Sequence, residues 1–119
     1  MSGSIEEIRP VYEQLERHML DVVNGVQDGK EIRKSAFERV EQLSKQLTAL
    51  LKGHELLPRK ILLQLSQASN VLQNEAAYMP TAAEKQEALR MANAIQITSD
   101  LILRGECHDD RRPGIPRII

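Results

Sequence analysis

The residues best equipped for chemistry crowd into one short stretch near the end of the chain. Cys107, His108, Asp109 and Asp110 follow one another, flanked by Glu106, Arg111 and Arg112. All four types ligate metals, but consecutive side chains diverge, and structural zinc draws its ligands from two pairs spaced two to four residues apart. No second pair exists: His18 and His54 each stand alone in their segments. The Glu-x-x-His signature of di-iron bundles is missing from every helical segment. A Cys–His nucleophile needs a base oriented by a third group in a water-excluded site. A tail past the last helix does not supply one, so Cys107 reads as a free thiol. No metal, cofactor or catalytic residue is expected.

Other candidates fail on spacing. Gly25, Gly29 and Lys30 in NGVQDGKE imitate a phosphate-binding loop, but the glycines are one residue too close, no hydroxyl follows the lysine, and no strand precedes it. The pairs Glu6–Glu7 and Glu13–Glu16 fall on a charged helix face, where solvation is the default. Lys30, Arg33, Lys34, Arg39, Lys45 and Lys52 would make a basic stripe were Glu31, Glu38 and Glu41 not interleaved with them. With a net charge of −1 over 119 residues, nucleic acid is a poor match, because phosphate binding draws on clustered basic side chains.

The elements that would position any site are helices. One domain is expected from the length, with a core of Leu, Ile, Val, Ala and Met, since Tyr12, Phe37 and Tyr78 are the only aromatic residues. Threes-and-fours spacing of Tyr12, Leu15, Met19, Val22 and Val26 predicts a first helix over about 10–24, opening at Pro10 and stopping at Asn24-Gly25. Ser4 with Glu7 offers an earlier capping box, which Pro10 opposes. A heptad seam of Ala36, Val40, Leu43, Leu47 and Leu50 predicts a second helix over 30–52, capped by Ser35 with Glu38 or by Asp28 with Glu31, and ended by Gly53. A third over 58–79 opens at Pro58 and stops before Pro80, with Ile61, Leu65, Ala68, Leu72 and Met79 inward and Tyr78 broadening the stripe. A fourth over 82–104 is capped by Thr81 with Glu84, carries Leu89, Ala92, Ile95 and Ile102 inward, and closes at Gly105. These predict an all-α antiparallel four-helix bundle over 1–104, followed by an extended tail over 105–119. Residues 1–29 sum to −4 and residues 30–52 to +3, which favours the first two helices as neighbours.

Function follows from what these elements leave over. Helices three and four are rich in small residues and uncharged amides, among them Gln64, Gln67, Asn70, Gln73 and Asn74. These form either a solvated face or a contact surface, where amides bond a partner without the desolvation cost of charge. In the tail, Pro113-Gly114-Ile115-Pro116 opposes helix, and Ile115, Ile118 and Ile119 need burial on the bundle or on another chain. The expectation is a non-enzymatic protein–protein interaction module, an adaptor, inhibitor, immunity-type or chaperone-like protein. Its partner contacts are assigned to Gln67, Asn70, Asn74, Arg111, Arg112, Ile115, Arg117, Ile118 and Ile119, with self-association as one form of partnership. The alternative is a small-molecule sensor with a cleft between helices three and four. A single cysteine, no apolar leader and no apolar run long enough to span a bilayer predict a cytoplasmic protein without a membrane partner.

Overall fold

A computed structural model describes residues 5–110. Four α-helices are present, α1 (Ile5–Gly29), α2 (Lys34–Leu51), α3 (Arg59–Ala76) and α4 (Ala82–Arg104), with a short 3-10 helix at His108–Asp110 and no strand among the described residues. None of these helices is long and apolar enough to cross a membrane.

Two antiparallel hairpins, α1–α2 and α3–α4, build the bundle. The first is tied by Arg33 to Asp21 near its turn and by Arg39 to Gln14 farther along. The second is tied by the buried Ser69 hydroxyl, which donates to the Ala92 carbonyl at 2.9 Å. The hairpins stack so that α1 lies on α3 and α2 on α4. Both of these pairs run parallel. Lys60 meets Glu16 at the start of α3, and Glu75 meets Lys30 at its end, so residue numbers rise together along α1 and α3. The α2–α3 connection therefore crosses the diagonal. The molecule is 21 Å through its thinnest direction, two helix diameters.

The core is continuous across the four inward faces. Leu15, Val22, Val26, Leu47, Ile61, Leu65, Leu72, Ala88, Met91 and Ala92 are fully buried. The outward exposure of Leu89 and Tyr78, both expected inside, shows how the second hairpin is packed. Ala88 and Ala92 of α4 are fully buried, and the Ala92 carbonyl meets the Ser69 hydroxyl of α3.

Several boundaries differ from expectation for identifiable reasons. α1 begins before Pro10, because Ile8 is buried in the core and the amide bond lost at Pro10 would have reached Glu6, which faces water. Ser4 lies outside the described residues. α1 also passes through Asn24-Gly25 without stopping. Gly25 is covered by the Arg33 side chain, so close that a Cβ there would meet Arg33 Cγ at 2.8 Å. The stop comes four residues later, where Glu31 N–H donates to the Gly25 carbonyl at 3.0 Å and Lys30 takes a left-handed φ of 52°. α2 starts at Lys34 with Arg33 at its N-cap and no side-chain cap; neither expected capping box forms. Arg33 instead bonds Asp21 and Glu31, and Glu31 ahead of Asp21 is the main reason its pKa is raised. Pro58 is the N-cap of α3, and the helix ends at Ala76, leaving Tyr78 and Met79 in a turn.

Two termini match the sequence closely. Thr81 Oγ1 accepts from Glu84 N–H at 3.1 Å and donates to the Glu84 carboxylate at 2.8 Å. Gly105 adopts φ 72°, and Glu106 N–H reaches back to the Leu101 carbonyl at 2.9 Å, the bond that closes a left-handed C-cap. Of the expected extended tail over 105–119, only residues 105–110 are described, and these are not extended. Residues 105–110 fold back onto α2, and Gly53 N–H donates to the Gly105 carbonyl at 3.3 Å.

Candidate interaction face

Of the residues assigned to partner contact, Gln67, Asn70 and Asn74 are all exposed on α3. Arg111, Arg112, Ile115, Arg117, Ile118 and Ile119 lie outside the described residues. The three amides belong to a longer row. Leu63, Gln67, Asn70, Asn74 and Ala77 step by four, three, four and three, and every one of them is exposed. This row repeats the inward seam of Ile61, Leu65, Ala68 and Leu72 displaced by two residues, about 200° round the helix. α3 thus carries a core seam on one side and a second seam on the opposite side. From Ile61 to Asn74 it has no charged side chain at all. The outward faces of the other helices carry Glu13 and Arg17, Glu38 and Glu41, Lys85 and Arg90.

Beside this row a groove of about 250 Å³ runs between α1 and α3. Met19, Val23, Ala68 and Val71 line it, together with Leu20 and Gln67. Leu20 beside the groove and Leu63 in the outer row are 58% and 55% exposed. Gln64 lines the same groove, and its Oε1 is buried without a hydrogen-bond partner among the described residues. Such an acceptor is destabilising until a donor reaches it. One end of the groove is polar: Glu16 and Lys60 approach to 3.8 Å there, next to Arg9, Glu13 and Arg17. The groove thus has an apolar and amide centre and one charged end.

The stretch that first drew attention is placed differently. Cys107 is 7% exposed, not carried on a free tail. Its N–H donates to Asp110 Oδ2 at 3.0 Å while Asp110 N–H donates back to the Cys107 carbonyl at 3.1 Å. Asp110 also pairs with Lys52 at 2.9 Å. The Cys107 amide first, and Lys52 second, hold the Asp110 carboxyl down to about 2. His108 N–H donates to Thr48 Oγ1 at 3.4 Å, and its Nε2 lies 3.1 Å from Thr98 Oγ1. The four candidate ligands do not converge; among the described residues no three His, Cys, Asp or Glu side chains gather around one point. The arrangement pins the chain to the ends of α2 and α4.

No protein family, curated protein or solved structure matches this chain. The face must therefore be read from its own geometry.

A second recess, about 180 Å³, lies between α2 and α4. Phe37, Val40, Ile95 and Ile97 form its apolar walls, and Ser44, Thr98 and His108 bring polar groups to it. The α3–α4 contact, where the alternative reading placed a cleft, is crossed by the buried Ser69 bond to the Ala92 carbonyl.

Sequence reasoning found the amides but passed over Leu20, Val23 and Leu63. The charge-free run from Ile61 to Asn74 was the available signal for Leu63. No signal in the sequence placed Leu20 and Val23 beside it, because that depends on α1 packing parallel to α3.

Proposed function

We propose that this protein is a non-enzymatic interaction module that binds protein through the α1–α3 face. The observation that carries this reading is the uncharged, leucine-bearing outer face of α3. A helix exposed only to water gains solubility from Lys and Glu on its outer side, whereas interface centres are depleted in charge. The complementary surface brings apolar side chains to Leu20 and Val71 and a hydrogen-bond donor to Gln64.

The experiment compares wild-type protein with a Leu20→Glu/Leu63→Glu double variant. Both positions are exposed, so the variant retains its helical circular dichroism. The proposal expects a partner bound by the wild type and reproduced with purified components to lose at least ten-fold in affinity in the variant. Binding that is unchanged by the two substitutions would overturn it.

A second reading rests on the α2–α4 recess, whose apolar walls and convergent hydroxyls suit a small amphipathic ligand. Ligands stabilise a fold by mass action, so thermal-shift screening with small alcohols and carboxylates tests it. A shift abolished by Ala94→Phe, which would fill the recess, supports this reading, and no shift with any compound refutes it.

A further inference from the structure

We infer that a partner accepted by this face is a second copy of the same chain, docked two-fold with α3 antiparallel to α3. The inference rests on reading the α1–α3 face as the interaction surface. Three features favour self-pairing.

The first is the chemistry of the row. An amide is donor and acceptor at once, so a surface built from Gln64, Gln67, Asn70 and Asn74 complements its own image. A surface of like charges would repel its image. The row also has the four-three spacing that lets two helices interlock, and polar side chains at such positions set register at a cost in stability.

Charge at the two ends of α3 then selects direction. Arg59 and Lys60 stand at its start and Glu75 near its end, with nothing charged between Ile61 and Asn74. A two-fold axis between Gln67 and Asn70 sets Gln67 against the partner's Asn70, Leu63 against the partner's Asn74, and Lys60 close to the partner's Glu75. Parallel pairing would set like charges together and align the helix dipoles. Within the subunit Glu75 accepts from Lys30 at 2.8 Å through Oε2.

The third feature is area. The 18 residues of α3 span about 27 Å, and α1 beside α3 makes a face about 20 Å wide. That is roughly 500 Å² per subunit and about 1,000 Å² in all, the lower end for a specific interface. With amides in the seam, the dimer is weak and concentration-dependent.

Sedimentation equilibrium on the full chain from about 5 to about 500 µM tests this. The weight-average mass is expected to rise from 13.5 kDa toward twice that value. Two charged variants, Gln67→Lys/Asn70→Lys and Gln67→Glu/Asn70→Glu, are each expected to stay monomeric with unchanged helical content. Mixed in equal amounts, they are expected to form a heterodimer tighter than the wild-type dimer, a rescue that damage to the fold would not produce. A wild-type mass fixed at 13.5 kDa throughout overturns the inference. So does dimerisation of either charged variant at wild-type strength, or a mixture that stays monomeric. If the wild type is monomeric while Leu20→Glu/Leu63→Glu loses a foreign partner, self-pairing fails and the interaction face stands. If neither association responds to any of these substitutions, both fail.

Discussion

Replacing Gln64 by Met is expected to stabilise the isolated subunit, the reverse of the usual effect of a substitution near a core. Gln64 Oε1 is buried in the α1–α3 groove with no hydrogen-bond partner among the described residues. An orphaned acceptor carries a desolvation penalty of about 1–3 kcal/mol. The side chain as a whole is only half-buried, so the lower end applies, about 1 kcal/mol. Met keeps the length and most of the volume, so the walls formed by Met19, Ala68 and Val71 need not move. With an unfolding entropy of about 2.1 cal/mol/K per residue over 119 residues, 1 kcal/mol corresponds to about 4 °C in Tm. The assay is urea and thermal unfolding followed by circular dichroism at low micromolar concentration, where self-association does not contribute. Gln67→Met is the control, since that amide is exposed and its loss should change stability by less than about 0.5 kcal/mol. If Gln64→Met leaves stability unchanged or lowers it, the amide is satisfied in solution, and the demand for a donor from the partner falls with it.

Three further outcomes follow from the structure. Gly105→Ala should lower stability by about 1 kcal/mol, because φ is 72° while the new Cβ would stand 3.7 Å from Gly53 N, an ordinary contact; the cost is backbone strain alone, read by urea unfolding. Ser69→Ala should cost about 1 kcal/mol through loss of the 2.9 Å bond to the Ala92 carbonyl, whereas Ser66→Ala should be near neutral in the same assay. The Asp110 carboxyl is held down to about 2 against an ordinary 3.8, so its contribution is complete above pH 3.8 and is lost as pH falls toward 2. The amide resonance of Cys107 should titrate with that low midpoint and lose the transition in Asp110→Asn; a midpoint at 3.8 or above would refute the contact.

Much of the local structure was legible because it depends on neighbours in sequence. The Thr81–Glu84 cap involves side chains one helical turn apart, and the stop at Gly105 depends on which residue tolerates a left-handed φ. The inward seams of α2 and α3 follow from the period of the helix. Where sequence reading went astray, a distant residue had intervened. Gly25 does not end α1, and Arg33, brought over from the start of α2, packs across it. Cys107 does not ride on a free tail, because Asp110, Lys52 and Thr48 hold its turn against α2.

The candidate face divides in the same way. The missing charges between Ile61 and Asn74 and the second four-three row are written in the sequence, since helical period alone assigns them to one side of α3. Which helix flanks that row is not, because periodicity describes each helix separately and says nothing about its neighbours. The parallel packing of α1 on α3 aligns Leu20 and Val23 with Gln64 and Gln67. The chain by itself determined four amphipathic helices and an uncharged outer stripe. Only their assembly, set by which apolar faces bury together, decided that the stripe borders a groove.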